Sequence, residues 1–501
     1  MLAEPGLAAK QPGMRRNLSL LFLAALALIP SACKPKAEGA VRVTLIGPEP
    51  KVRDPALNVM SEPDAVLIGS VGQGLVRIDA SGNIVPGLAE RWNVSDDGLS
   101  YIFRIASTDW PGGRKITAQQ VARILKRSLA PGSVNPLKDT VGAIDDIVAM
   151  TDRVIEIRLK APRPNMLNLL AQPEFAIVRG GVGTGPFQLD PKQASPGSLR
   201  LFRAIVSADD ETSRRDELVM NAAPAPAAIA AFVSGSTDLV LGGTFADLPY
   251  AQRAKLPRGS LRFDPASGLF GLVPTRAGTA LDDSGVRGLL SQAIDRDALI
   301  DALRVPGLAP RVTVLEPGLD GVPAPTAPAW AATSLNDRRA ALIAQSTREF
   351  GAEKPTFRIF LPEGPGSNIL FNRLMIDWGA IGVTVERAKA VASADLKLVD
   401  AVAPSNSPAW FLRQFRCQFL PICDKEADPL LDAARDTLVP AQRYALLAQA
   451  AARIDEAQLF IPLAAPVRWS LVSSRVQGFA GNRYALHTLT DLEQKPNAGA
   501  Q

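Results

Sequence analysis

The chain has 501 residues, 47% of them hydrophobic, too long for one simple core and enough to fold two or three lobes of roughly 100–200 residues each. Its net charge of +5 is spread over 55 basic and 50 acidic side chains with no Lys/Arg block, which argues against a nucleic-acid surface. One histidine, His487, and three cysteines are too few to ligate zinc, nickel or copper or to build a histidine-based catalytic triad, so no metal and no cofactor are expected and His487 reads as a surface or partly buried polar residue.

Met14-Arg15-Arg16-Asn17 supplies a positive start and residues 18–29 an apolar run of 12, too short to span a bilayer and therefore an export signal. The first thirteen residues add nothing to that signal, which leaves Met14 as an alternative start. Ser31-Ala32-Cys33 resembles a lipoprotein cleavage box, with Pro30 where Leu usually stands, and implies that Cys33 is lipidated and that residues 1–33 are the signal peptide. Three acyl chains on that cysteine would anchor the protein permanently, at about 0.8 kcal/mol per buried methylene. Residues 34–40 are charged and poor in apolar groups, as a tether requires.

Val41-Arg42-Val43-Thr44-Leu45-Ile46 alternates as a strand, and Leu75, Val76 and Ile78 form a second one closed by the turn residues 79–83. Residues 92–94 and 101–105 flank Ser95-Asp96-Asp97-Gly98, a hairpin turn whose glycine can take positive φ. A helix opens at Thr117, with Gln120 completing a capping box and Val121, Ile124, Leu125 and Leu129 on its apolar face. A second hairpin-like unit over 144–159 leads to Ala161-Pro162-Arg163-Pro164. The glycine-rich turn at 180–187 carries no Lys-Ser/Thr and opens no long helix, so it is a crossover between lobes and not a phosphate loop.

A Pro/Ala-rich stretch at 222–231 runs into a glycine-capped helix end and a strand after Asp238. Helices are expected over 286–293 and from the N-cap Asp295, with Leu299, Ile300 and Leu303 on one face. Residues 357–361, 368–378 and 382–385 repeat a strand–helix–strand rhythm suited to a parallel α/β lobe. With Cys33 set aside, Cys417 and Cys423 form an even pair; compartment and parity favour a loop-closing disulfide, with two buried free thiols as the rival. The paired carboxylates at 96–97, 145–146 and 282–283 sit in turns, where such residues cap and shape loops, and no catalytic motif accompanies them.

The order of elements in residues 71–121, including Pro86-Gly87-Leu88-Ala89 and Trp92, resembles the opening of the extracytoplasmic solute-binding proteins of family 5, which serve peptide, opine and nickel importers of the ABC class. Gly183-Thr184-Gly185-Pro186-Phe187, Ser234-Gly235-Ser236-Thr237-Asp238, residues 286–299, Ile461-Pro462-Leu463 and Val476-Gln477-Gly478-Phe479 match the same family in the same order. The resemblance implies an α/β periplasmic-binding-protein type II fold, two-lobed with an inserted third lobe and a hinged interlobe cleft. Lobe I would take residues 41–75, 181–265 and 472–501, the inserted lobe II 76–180 and lobe III 266–471, with hinge crossings near 265–271 and 470–474.

It further implies a protein that binds a small or peptide ligand without bond chemistry, hands it to an ABC permease, works as a monomer in the periplasm and touches the membrane through its lipid. Gln73, Gly74, Phe270 and Gly271 are where the family lets backbone approach the ligand. The peptide-binding branch usually has an Asp at the position of Ser407, where it pairs with the ligand ammonium; serine removes that partner, and an unpaired buried ammonium is costly. Asp400, seven residues earlier, is the expected substitute if its strand faces the cleft. Trp410 offers a stacking wall or a core residue, and Arg413 a fork for a ligand carboxylate or a surface ion pair. The missing Asp motivates an alternative in which the protein has left transport to act as a sensor, chaperone or cell-wall-peptide binder.

Overall fold

The computed structural model describes residues 39–190, 197–206 and 213–494; the signal segment and Cys33 lie outside the described residues. Three sheets organise them. A seven-stranded sheet runs in the order Gln188–Leu189, Ser198–Val206, Ser213–Ala223, Val41–Ile46, Leu239–Thr244, Arg468–Val472 and Leu261–Phe263. Val41–Ile46 is its centre, parallel to both neighbours. Val43 and Leu45 are buried there, as the alternating pattern requires. Arg42 clamps this strand to the next through two side-chain bonds of 3.0 Å to Asp238, which also pairs with Arg475.

The inserted lobe is a four-stranded antiparallel sheet, Ala89–Val94, Ser100–Ile105, Val154–Leu159 and Ile144–Thr151 in spatial order, covered by the helix Ala118–Leu129. Gly98 turns its first hairpin at φ +68°, where glycine carries no steric cost. Thr117 caps the helix, but only half of the expected box forms: Gln120 Oε1 accepts the Trp110 indole N–H at 2.9 Å instead of reaching back to the cap. Burying Trp110 requires an acceptor for its N–H, and that demand wins. A complete capping box stands instead at Ser61 and Asp64, opening the helix Glu62–Val71.

The third lobe is built on a five-stranded sheet, Thr384–Arg387, Thr356–Phe360, Leu396–Val402, Gly268–Pro274 and Ile461–Ala464. The helix Pro365–Gly379 connects two parallel strands, the βαβ rhythm legible in the sequence. Ser284–Ala293 and Arg296–Leu303 are helices capped by Asp283 and Asp295. Two amphipathic helices, Ala427–Asp436 and Pro440–Glu456, pack against each other beside this sheet. Cys417 and Cys423 are joined as a disulfide.

The chain passes between the seven- and five-stranded sheets at 264–267 and at 465–467. The return passage precedes the 470–474 expected from the sequence, because Arg468–Val472 is already paired with Leu239–Thr244 and Leu261–Phe263; a lobe boundary after 471 falls inside this strand. Among the described residues no helix is long and apolar enough to cross a membrane, and no group of three or more His, Cys, Asp or Glu side chains could hold a metal ion.

Candidate functional site

The residues singled out from the sequence fall into three places. Gln73 and Gly74 form a joint to the inserted lobe: Gln73 donates to the Thr184 carbonyl at 2.6 Å and its own carbonyl accepts from Ile177. A Cβ on Gly74 would lie 2.5 Å from the Leu170 carbonyl, so glycine here admits the protein's own backbone and not a ligand. Phe270 and Gly271 occupy a central strand with paired strands on both sides, which commits their backbone to the sheet. Phe270 is 1% exposed and packs edge-on to Phe245, while a Cβ on Gly271 would meet the Ile461 carbonyl and the Phe460 ring. Trp410 is 7% exposed, set edge-on to Phe411 within the third-lobe core. These residues therefore hold the lobes together internally, and periodicity alone could not have told a cleft-facing strand from a buried one.

Asp400 stands at the passage between the sheets, but it is not free to receive an ammonium. Arg468 Nη1 donates to Asp400 Oδ1 at 2.8 Å and Nη2 to its carbonyl at 3.2 Å. Burial pushes the Asp400 carboxyl above the usual range, and Arg468 draws it back. Beside this pair, Asp264 accepts from Asn482 N at 3.0 Å and lies 3.0 Å from His487 Nε2, whose ring stacks on Phe479.

One carboxylate that the sequence reading passed over completes this junction, and a second lies on a turn against the same helix. Glu62, in the first turn of Glu62–Val71, reaches water yet is hemmed in by protein. Desolvation raises its pKa, Arg468 opposes the rise, and Asp400 and Asp264 add to it. Among the described residues its side chain makes no hydrogen bond or ion pair. Glu174 lies on the turn Pro173–Phe175 packed against the same helix; burial raises its pKa too, opposed only by its own backbone N–H. Gln172, two residues earlier, donates to the Pro404 carbonyl at 3.0 Å and so ties the inserted lobe to the segment preceding Ser407. The signal in the sequence was acidic residues flanking proline, which looks like ordinary helix capping.

Ser407 and Arg413 do come together, in a cavity of about 480 Å³ between the inserted lobe and the helical part of the third lobe. Ser407 begins the helix Pro408–Arg413 without a side-chain capping bond. Arg413 crosses to the inserted lobe, donating to Thr140 Oγ1 at 2.6 Å and to Asp139 at 3.1 Å. Its fork is thereby satisfied within the protein, and burial lowers its pKa against the pull of Asp139.

A family model described as bacterial extracellular solute-binding proteins, family 5, middle region, matches residues 83–399. Among curated relatives, a probable di/tripeptide-binding protein 5 of Pseudomonas aeruginosa is 25% identical over 471 residues, covering 82% of this chain and 87% of its own. The periplasmic oligopeptide-binding protein OppA of Salmonella typhimurium is 22% identical over 481 residues, covering 84% and 86%. Among solved structures, Haemophilus influenzae OppA in complex with RPPGFSPFR matches at a TM-score of 0.77 and 17% identity, with 91% of this chain and 99% of that one covered. The Escherichia coli murein tripeptide binding protein MppA matches at 0.77 and 19% identity, with 91% and 99% covered. The fold is accordingly that of the periplasmic binding proteins, and the family is one of solute-binding proteins, not of enzymes. With its model spanning most of the third lobe's sheet and most of the inserted lobe, the chain belongs to the bacterial extracellular solute-binding proteins of family 5.

Proposed function

We propose that this chain is the substrate-binding subunit of an ABC-type importer, tethered to the membrane by a lipid on Cys33, that captures a peptide-like solute between its lobes and delivers it to a permease. The observation that carries this reading is the junction itself. Two short passages, 264–267 and 465–467, join the seven- and five-stranded sheets, and Glu62 stands near them with no hydrogen bond or ion pair among the described residues. A carboxylate already raised by desolvation gains from a cation, so an ammonium entering between the lobes recovers the charge pairing that Ser407 lacks. Glu174, on the turn Pro173–Phe175 that packs against the same helix, is a second carboxylate raised by burial. The names of the similar proteins, which bind dipeptides, tripeptides and oligopeptides, support a ligand of this kind.

The test is native mass spectrometry of the protein purified gently from its host's periplasm, followed by release and identification of any bound species. A co-purifying peptide supports the reading, and a non-peptide ligand moves it to another branch of the family. An empty protein that melts at the same temperature with and without di-, tri- and oligopeptides overturns it, because a ligand at 100 times its Kd stabilises by about 2.7 kcal/mol. That outcome favours a role outside transport, as sensor, chaperone or cell-wall-peptide binder.

A further inference from the structure

We propose that the cavity between the inserted lobe and the third lobe is a second binding site, selective for an oxyanion (carboxylate or phosphate) that bridges Arg163 and Arg443 and holds the two lobes together. Six basic and two acidic side chains line its volume of about 480 Å³. Both acids are committed elsewhere, Asp139 to Arg413 at 3.1 Å and Asp436 to Arg435 at 2.8 Å. Arg416 is taken by Asp432 at 2.7 Å. With Lys160 facing Asp145 at 4.0 Å, that leaves Arg163 and Arg443, which are 7% and 8% exposed and have no carboxylate within ion-pair distance among the described residues.

Their geometry is that of an unfinished site. Arg163 donates Nη1 to the Pro162 carbonyl at 2.8 Å and Nη2 to the Arg435 carbonyl. Arg443, from the helix Pro440–Glu456, donates Nη1 to that same Pro162 carbonyl at 3.1 Å, and its side chain makes no other hydrogen bond among the described residues. Two like charges thus converge on one neutral acceptor. Burial lowers both guanidinium pKa values; for Arg163 the neighbouring Arg443 adds to the effect and Asp436 opposes it, the net result being about 10. Both remain charged at neutral pH, desolvated and facing each other, an arrangement that costs free energy until an anion joins it. A guanidinium presents its donors in a planar fork that matches a carboxylate or phosphate edge, and the cavity lies within the 300–1,000 Å³ range, as an order of magnitude, that small organic ligands fill.

Because Arg163 belongs to the inserted lobe and Arg443 to the third, the anion touches both, and its affinity for this arrangement is affinity for closure. This site differs in charge and in place from the Glu62 junction proposed to take an ammonium.

The test uses the purified full chain without peptide, so its failure leaves the peptide reading standing. Thermal unfolding is followed in sodium chloride, sodium phosphate and disodium succinate at matched ionic strength, and the same two oxyanions are titrated by calorimetry. The expected result is a saturable single-site heat and a melting temperature raised above that in chloride, both abolished in R443M and R163M and partly retained in R443K. A response to phosphate alone assigns a phosphorylated ligand, and a response to succinate alone a carboxylate one. No saturable heat in the unmodified protein overturns the proposal whether or not the variants fold, as does an equal rise in the unmodified and substituted proteins.

Discussion

Arg468, the first residue of a strand in the seven-stranded sheet, donates at 2.8 Å to Asp400, which lies in the five-stranded sheet, so this ion pair spans the junction between the two main lobes. Both side chains are largely out of water, 11% and 15% exposed, which makes the pair costly to break from one side. We expect R468M to lose about 3–5 kcal/mol in chemical denaturation, because it leaves a buried carboxylate alone, and D400N/R468M to recover part of that loss. A loss below about 1 kcal/mol for R468M would show that water reaches the pair freely.

E62Q should weaken binding of a peptide with a free amino terminus while leaving an N-acetylated analogue unaffected, as measured by calorimetry. Since desolvation raises the Glu62 pKa, affinity for the free amine should also fall as pH is lowered from neutral and the carboxyl takes up its proton. Equal effects of E62Q on both peptides would place the role of Glu62 in folding. E174Q distinguishes, by the same pair of ligands, whether the second carboxylate shares the task.

Asp455 accepts the Val314 N–H at 2.8 Å and makes no ion pair among the described residues, and burial pushes its carboxyl from 3.8 to about 7. The folded protein therefore holds a proton that the unfolded chain has released. This contribution is complete below pH about 4 and is lost as pH rises through about 7. D455N should consequently match the unmodified protein near pH 4 and exceed its stability at pH 8 by roughly 2–4 kcal/mol. Parallel stability curves for the two proteins across that interval would contradict the assignment.

Reducing the Cys417–Cys423 bond, which closes a loop with a separation of only six residues, should cost about 2 kcal/mol on the loop-entropy model. The bond lies close in the chain to Arg413 and Arg416 on the cavity wall. The double substitution C417S/C423S should lower the denaturation midpoint by the corresponding amount and become insensitive to dithiothreitol; continued sensitivity would locate the reducible bond elsewhere.

Much of the architecture was legible because it rests on local rules. The hairpin at Gly98, the caps at Thr117 and Asp295 and the parallel strands around Pro365–Gly379 each announce themselves within a few residues. The candidate site was less legible. Gln73, Gly74, Phe270, Gly271 and Trp410 carry the residue types that a ligand surface uses, yet the structure commits each to the protein's own packing. Conversely, Glu62 and Glu174 resemble routine first-turn acids, and Arg163 an ordinary basic residue between two prolines.

The sequence by itself determined the class of molecule, an α/β chain of several lobes in a solute-binding family, because composition, turn residues and the order of motifs are properties of the chain alone. Only the tertiary structure decided which charges have partners. Asp400 and Arg468 are 68 residues apart, Arg163 and Arg435 are 272 apart, and the lobes that bring them together form from segments the chain revisits. Pairing, desolvation and hence pKa depend on what a side chain meets across those lobes, and no local pattern records that.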